Sequence, residues 1–148
     1  MSCYFCEQIK SIRKTGSCDG FIAEFKSSYV ILGHGQYFKG YCILFTKDHK
    51  EQLGKLSEKN QKVLYADVIT VAGAIDRAFK PARINYENLG NITHHIHWHI
   101  IPRYKNDPYK KLPIWQIPEG KRKGKLTKFQ LEEVKKKLKR FMQHCTLV

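Results

Sequence analysis

The chain has 148 residues, of which 42% are hydrophobic and 12% aromatic, and this is the size and composition of one folded domain with its own core. Its 27 Lys and Arg against 13 Asp and Glu give a formal net charge of +14, so an anionic partner is expected. No run approaches the ~20 apolar residues that cross a bilayer, and the N-terminus lacks the basic-then-apolar layout of a signal peptide. We therefore expect a cytosolic protein rather than a membrane or exported one.

The first half of the chain predicts an antiparallel meander followed by a long helix. The meander consists of three apolar, β-prone runs separated by Ser27-Ser28 and by a glycine-rich stretch: residues 21–25, 29–32 and 41–45. After Ser57, which is a suitable N-cap, apolar residues recur at helical spacing until Pro81. They predict an amphipathic helix of about five turns, and they are Leu64, Val68, Val71, Ile75 and Phe79.

The second half predicts two more strands, an irregular arm and a final helix. The strand candidates are residues 84–89 and 95–102, joined by Gly90-Asn91. Residues 102–124 are rich in Pro, Gly and aromatic residues, which predicts an ordered arm that crosses the surface. From Thr127 onward, apolar residues at helical spacing predict a helix with a basic outer face. Because there is no internal repeat and no break in composition, residues 1–148 are expected to form a single domain.

The positive charge is concentrated near the C-terminus. Residues 121–140 hold ten basic residues and only two acidic ones, which is eight of the fourteen net charges. A solvated helix face explains such a run as well as attraction to a polyphosphate or a nucleic acid does. Composition does not separate the two explanations.

Five cysteines are an odd number in a chain without an export signal, which favours reduced thiols or a metal site over a disulfide framework. They are Cys3, Cys6, Cys18, Cys42 and Cys145. Cys3 and Cys6 form a Cys-x-x-Cys pair, a spacing that lets one tight turn present two thiolates to a tetrahedral ion. On its own, such a pair is more often a bystander or an oxidisable pair of thiols than a metal site.

Four of the seven histidines lie within the six residues 94–99. On a helix, residues two apart point about 200° from each other, whereas a strand, with its period of two, places every second residue on one face. A strand therefore aligns His95, His97 and His99, and turns Ile96, Trp98 and Ile100 toward the core. A row of imidazoles is costly to bury without partners, and near neutral pH each imidazole can act as nucleophile, proton donor or metal ligand. The pattern favours catalysis or metal binding over a polar face that happens to be rich in histidine.

The segment His95 to Ile101 resembles the motif of the histidine triad (HIT) family, three histidines that alternate with hydrophobic residues. Other family features agree in order along the chain: the early cysteine pair, Gly40, His49, the long helix, Asn85, Gly90-Asn91 and Pro102-Arg103. The bacterial diadenosine tetraphosphate hydrolase-like branch is the most similar, on the strings Gly40-Tyr41-Cys42, Asn85-Tyr86 and Pro113-Ile114-Trp115. The resemblance covers the core and arm, residues 1–115, and leaves residues 116–148 as a basic C-terminal extension with a helix.

The resemblance implies an α+β fold, an antiparallel sheet of about five strands with the long helix packed on one face, usually in a homodimer. It also implies a nucleotide hydrolase that cleaves a phosphoanhydride or phosphoramidate bond through a nucleotidyl-histidine intermediate. A dinucleoside polyphosphate such as diadenosine tetraphosphate is the expected substrate.

The resemblance assigns roles to individual residues. His97 is the nucleophile, which agrees with the reactivity of a neutral imidazole and with the lability of a nitrogen–phosphorus bond. His99 donates a hydrogen bond to the phosphate oxygens and assists the leaving group, and Gly90-Asn91 contacts the phosphate. Trp115 either stacks on an adenine or packs the arm onto the body, and packing is the default.

The resemblance also gives the cysteine pair partners. In several family members the pair binds zinc with two histidines, which correspond to His49 and His95 and complete a closed Cys₂His₂ site. Such a zinc ion is structural, and it would fix the orientation of His95. The alternative role for His95 is a hydrogen bond that sets the tautomer of its neighbour.

Two positions depart from the family pattern. Many members have a histidine directly after the glycine that opens the early strand, and this chain has Tyr41, so a four-histidine site is not supported. Members often have Asn or Asp in the preceding loop to hold ribose hydroxyls, whereas this chain has Gly33-His34-Gly35. Ribose-binding residues are therefore not assigned.

Two rival functions are compatible with the same residues. A nucleotidyl transferase or phosphorylase uses the same intermediate but intercepts it with phosphate or a sugar phosphate. A nucleic-acid-associated module would use the basic C-terminal segment to follow a phosphate backbone. The second is not favoured, because few aromatic residues lie among the lysines to stack on bases.

Overall fold

The computed structural model describes residues 3–143, so Cys145, counted above among the thiols, lies outside the described residues. These residues form an antiparallel five-stranded sheet with three α-helices, which confirms the expected α+β fold. The strands are β1 (Phe21–Glu24), β2 (Ser28–Leu32), β3 (Cys42–Thr46), β4 (Arg83–Glu87) and β5 (His97–Arg103). The helices are α1 (Tyr4–Thr15), α2 (Glu58–Phe79) and α3 (Lys128–Gln143). The sheet order is β1-β2-β3-β5-β4, so the histidine strand lies inside the sheet.

Helix α2 is the long helix that the apolar spacing predicts. The Ser57 side chain caps it by accepting a hydrogen bond from the Asn60 amide, and Lys80 ends it in the left-handed conformation (φ 49°) just before Pro81. Its 22 residues make about six turns rather than five, because the helix begins directly after the cap and well before its first apolar contact. The predicted apolar face is the buried one.

Helix α1 is an element that the sequence patterns did not reveal. Only a tight turn is predicted at Cys3–Cys6, yet the chain continues as a helix until Gly16 adopts a left-handed conformation (φ 77°). Three apolar side chains hold the helix on the sheet, and they are Phe5, Ile9 and Ile12. Because these are few and widely spaced in a polar segment, the periodic signal is weak, and packing on the sheet stabilises the helix.

The sheet has a hydrophobic layer on each face. Trp98 and Ile100 of β5 lie in the layer that contains α2, whereas Ile101 lies in the layer that contains α1. The expectation that Ile96, Trp98 and Ile100 point into the core is confirmed. Alternation along β5 therefore turns His97 and His99 toward the α1 side of the sheet.

The arm after β5 is irregular, as predicted, and is held by a buried arginine. The Arg103 guanidinium donates to Asp107 Oδ2 (2.7 Å from Nε) and to the carbonyl oxygens of Tyr109 (2.6 Å) and Leu112 (2.7 Å). The Arg103 and Asp107 side chains are only 5% and 2% exposed, so this pair is shielded from solvent. Two short 3₁₀ turns follow, Ile114–Gln116 and Glu119–Lys121. The hydrogen bonds of Arg103 therefore anchor the segment that carries Trp115 beside the sheet.

The two edges of the sheet differ in how they are covered. Helix α3 packs its buried residues against α2 and β1, which confirms the predicted C-terminal helix, and these residues are Val134, Leu138 and Met142. Strand β4 at the other edge pairs only with β5 within the described part of the chain. No helix among residues 3–143 combines the length and the apolar composition needed to cross a membrane.

Candidate active site and metal cluster

The three motif histidines lie on the α1 side of the sheet, as the period of two predicts. His97 lies opposite Phe45 of β3, and His99 lies opposite Ile43. The His97 and His99 rings are 4.9 Å apart between centroids, and Phe5 of α1 packs on His97 at 4.7 Å. His95 precedes the strand and is 1% exposed.

His97 has its tautomer set by a backbone carbonyl. Its Nδ1 lies 2.6 Å from the carbonyl oxygen of His95, and since a carbonyl can only accept, Nδ1 carries the proton. In the neutral ring Nε2 then has the free lone pair. Burial lowers the pKa of His97, which favours this neutral form. The geometry therefore gives His97 a nucleophilic nitrogen at Nε2.

His99 has the opposite arrangement, because its Nδ1 faces a buried hydroxyl. Tyr41 Oη lies 2.5 Å from His99 Nδ1. Burial raises the pKa of the Tyr41 phenol, so the hydroxyl keeps its proton, and among the described residues His99 Nδ1 is the acceptor within reach. We assign the Tyr41 hydroxyl as the donor, which places the proton of the neutral His99 ring on Nε2. Burial, with His97 and His34 nearby, lowers the pKa of His99 to about 4, so the ring is neutral at pH 7.

The two rings together are suited to group transfer at phosphorus. One presents a lone pair and the other presents an N–H donor, on neighbouring positions of one strand face. A nucleophile beside a fixed hydrogen-bond donor is what attack on a phosphoryl group and stabilisation of its oxygens require.

Four side chains that meet at the start of helix α1 could hold a metal ion: Cys3, Cys6, His49 and His95. One ligand atom from each lies within 4.8 Å of the others. His95 Nε2 donates to the carbonyl oxygen of Thr46 at 2.9 Å, which leaves His95 Nδ1 unprotonated and 3.5 Å from Cys3 Sγ. His49 Nδ1 is 3.3 Å from Cys6 Sγ. Two thiols and two imidazoles in this arrangement fit a tetrahedral zinc site, and helix α1 is what brings the cysteines to the histidines.

The residues assigned to substrate binding are spread around the rings. Trp115 lies edge-on to His99, with centroids 4.9 Å apart, and is 43% exposed. Gly90 adopts a left-handed conformation (φ 70°) in the loop before the triad. Asn91 is exposed in that loop and makes no side-chain hydrogen bond within residues 3–143. Asn88, which was not singled out from the sequence, donates to the carbonyl oxygen of His97 at 2.6 Å and ties the loop to β5.

Three further residues of the site escaped the sequence patterns: Tyr41, Glu87 and Arg122. Tyr41 was noted in the Gly40-Tyr41-Cys42 string and as a departure from the histidine of many members, but it was given no role, although its position two residues before Ile43 places it on the His99 face. Glu87 is the β4 partner of His99, a half-buried carboxyl whose pKa is raised by burial. Arg122 lines a cavity with His99 and Trp115. Strand register, had it been known, would have identified the first two.

Comparison with known proteins assigns the family. Residues 16–106 match the model of the HIT domain. The chain belongs to the HIT domain family. It is 29% identical over 114 residues to the adenosine 5'-monophosphoramidase hnt1 of Schizosaccharomyces pombe, covering 74% of this chain and 79% of that protein. It is 28% identical over 108 residues to the protein hit of Bacillus subtilis, covering 70% and 72%.

Solved structures agree with the HIT fold. A histidine triad protein of Bradyrhizobium japonicum matches with a TM-score of 0.75 at 20% identity, over 82% of this chain and 89% of that chain. A zinc-bound histidine triad family protein of Mycobacterium smegmatis matches with a TM-score of 0.72 at 20% identity, over 99% and 96%. At these identities the structural matches show the fold alone. The matched HIT range contains the triad and His49, while the cysteine pair, Trp115 and Arg122 lie outside it.

We predict that His99 carries its proton on Nε2 at pH 7 and that Tyr41→Phe produces a mixture of tautomers, because phenylalanine gives Nδ1 no donor. Nitrogen-15 NMR of the histidine rings measures which nitrogen is protonated. His97 is the internal control, since its bond to the His95 carbonyl does not involve Tyr41. An unchanged His99 tautomer in the variant would contradict the assignment.

Proposed function

We propose that this HIT protein is a nucleotide hydrolase that cleaves a phosphoanhydride or phosphoramidate bond through a nucleotidyl-histidine intermediate. The observation that carries the proposal is that His97 and His99 lie side by side on one strand face, each with a protein group at Nδ1, so that Nε2 of each ring is left for the substrate. The intermediate needs a lone pair that attacks phosphorus and a donor that stabilises the departing group, and the two rings supply one each.

In the first step, His97 Nε2 attacks the phosphorus atom attached to the nucleoside, and the bond from phosphorus to the leaving group breaks. The ring becomes positively charged, and its Nδ1–H bond to the His95 carbonyl stabilises that charge. His99 Nε2–H donates to the phosphate oxygens and to the atom that leaves. Asn91 and Gly90, in the loop before β5, are the proposed contacts to the other phosphate oxygens, and Trp115 packs against His99.

In the second step, water attacks the phosphorus and loses a proton to solvent, and the nitrogen–phosphorus bond breaks with its electron pair returning to His97 Nε2, which releases a nucleoside monophosphate and restores the neutral His97. If inorganic phosphate attacks instead, the product is a nucleoside diphosphate, so the protein would be a phosphorylase. We favour water and a dinucleoside polyphosphate substrate such as diadenosine tetraphosphate. A phosphoramidate is the alternative substrate, and the Schizosaccharomyces pombe relative is named for that activity.

His97→Ala is expected to lower kcat by roughly 10³-fold or more while the protein stays folded, because no other group forms the covalent intermediate. Turnover is measured on a panel of dinucleoside polyphosphates and adenosine phosphoramidates with product identification. Adding inorganic phosphate distinguishes the phosphorylase, since phosphate would then attack the intermediate in place of water and a nucleoside diphosphate would be released in place of the monophosphate.

The matched control is His94→Ala, which removes an exposed histidine next to the triad. It should keep near wild-type turnover. Near wild-type activity in His97→Ala would show that the nucleophile is misassigned, and added imidazole should partly restore a His97→Gly variant.

We also propose that Cys3, Cys6, His49 and His95 hold a structural zinc ion. The tautomer of His95 supports this, because its proton is committed to Thr46 and its free nitrogen faces the thiols. Zinc would supply a cross-link between α1 and the start of β5. His95 would then have two roles: its ring binds the metal and its carbonyl orients His97.

Purified protein that was never exposed to chelator is expected to contain about one zinc per chain. The Cys3→Ser/Cys6→Ser double variant should lose the metal and unfold at a lower temperature, with a smaller effect on kcat. Elemental analysis and thermal denaturation measure the two effects. Cys18→Ser is the control, because Cys18 lies outside the cluster. Metal-free wild-type protein would remove zinc from the proposal.

A homodimer is proposed on the open edge of the sheet. Within the described part of the chain, the outer edge of β4 has no strand partner, so its backbone groups are free to pair. Apolar side chains lie exposed around it: Tyr65, Ile69 and Tyr86, at 51%, 61% and 45%. Tyr65 packs edge-on to Trp98, whose buried Nε1 has no hydrogen-bond partner within the described residues. A second copy would cover this surface.

We also propose that residues 1–148 form a single domain and that the protein is cytosolic.

Ile69→Lys is expected to convert the dimer to a monomer, because a lysine charge at the centre of an apolar interface has no partner. Light scattering after size-exclusion chromatography gives the mass. Phe129→Lys is the control, since Phe129 is 75% exposed on α3, away from this edge. A wild-type monomer at micromolar concentration would refute the dimer.

A further inference from the structure

Arg122 belongs to the C-terminal extension, outside the range that matches the HIT domain. The chain holds it in place by backbone contacts. Lys123 forms a β-bridge with Gln36, and Gly124 packs so closely on Gly35 that a Cβ there would lie 1.5 Å from the Gly35 carbonyl oxygen. The Arg122 Nε donates to the carbonyl oxygen of Ile117 at 2.9 Å. The side chain is therefore directed by the fold, unlike the exposed lysines on either side.

Arg122 is half-buried, and its guanidinium lies over the Trp115 ring at 5.4 Å. No carboxylate of residues 3–143 forms an ion pair with it. Among residues 3–143, a protein acceptor uses only Nε, so the two terminal nitrogens are available for a ligand. A bound anion would give these nitrogens the acceptors that residues 3–143 do not supply.

The anion would lie beside the catalytic rings. A row of contacts runs from His97 to His99 (4.9 Å), from His99 to Trp115 (4.9 Å) and from Trp115 to Arg122 (5.4 Å). His99, Tyr41, Trp115 and Arg122 line one cavity of about 140 Å³. This is below the roughly 300–1,000 Å³ of pockets that enclose a whole small-molecule ligand, so the cavity suits one group of a larger substrate.

We infer that Arg122 binds a second phosphate group of the substrate, next to the phosphate that His97 attacks. The inference rests on the proposed function, and it deepens that function by giving the chain a preference for nucleotides with two or more phosphates. The planar guanidinium matches phosphate oxygens with paired N–H donors, which a lysine does not. A phosphoramidate with an uncharged leaving group gains nothing from this contact.

The test compares two ligands that differ by one phosphate group: AMP and α,β-methylene-ADP, whose P–C–P bridge His97 cannot break. Calorimetry on the full chain gives the affinity of each. Arg122→Gln should weaken α,β-methylene-ADP binding by about tenfold or more, since a lost charged hydrogen bond is worth about that factor. AMP binding should change by less than about twofold, and Arg122→Lys should fall between wild type and Arg122→Gln.

Lys121→Gln and Lys123→Gln are the controls, because each removes the same charge from an exposed neighbour. If these controls weaken α,β-methylene-ADP binding as much as Arg122→Gln does, the effect comes from the net positive charge of the segment, and the inference is overturned. Equal weakening of both ligands, or no weakening, in Arg122→Gln would overturn it too.

Turnover by the wild-type protein is measured separately on diadenosine tetraphosphate and an adenosine phosphoramidate. If neither substrate is cleaved, the proposed function fails. The role of Arg122 is still decided by the affinities for AMP and α,β-methylene-ADP, which do not depend on turnover. If both are cleaved, Arg122→Gln should lower kcat/KM for the tetraphosphate selectively.

Discussion

Strand β5 lies between two hydrophobic layers, and the rest of the site depends on that constraint. Trp98 and Ile100 are buried on the α2 side, so the residues between them must point to the α1 side. A shift of one residue in the pairing with β3 would move the histidines into the α2 layer, which is lined mainly by apolar side chains. The core therefore fixes the register, and the register fixes the position of the catalytic rings.

Hydrogen bonds to groups that do no chemistry decide what each ring can do. The Thr46 carbonyl accepts a hydrogen bond from His95, and the His95 carbonyl accepts one from His97. The Tyr41 hydroxyl is assigned as the donor to His99. Because the first two bonds both involve His95, they connect the proposed metal cluster to the His97 ring. The three rings thus have three different hydrogen-bonding arrangements, which suit the proposed roles of metal ligand, nucleophile and donor.

The departures from the family pattern are linked by packing. A Cβ at Gly33 would lie 2.2 Å from the Tyr41 ring, so the tyrosine can occupy this place only because the neighbouring loop has a glycine. The arm held by Arg103 then closes the other side of the site with Trp115 and Arg122. Most lysines of α3 stay exposed, which is consistent with a solvated face, whereas Arg122 is directed inward by the backbone around it.

The sequence by itself determined the long helix and the histidine strand, because each depends on local periodicity, and its resemblance to the HIT family also implied the fold class and the four candidate metal ligands. It did not determine helix α1, whose three apolar residues gain stability only against the sheet. It also did not reveal Glu87 and Arg122, which reach His99 and its cavity from β4 and from the end of the arm. The tautomers were decided only in the folded chain, since each proton position depends on an acceptor or donor that the tertiary structure brings within hydrogen-bond distance.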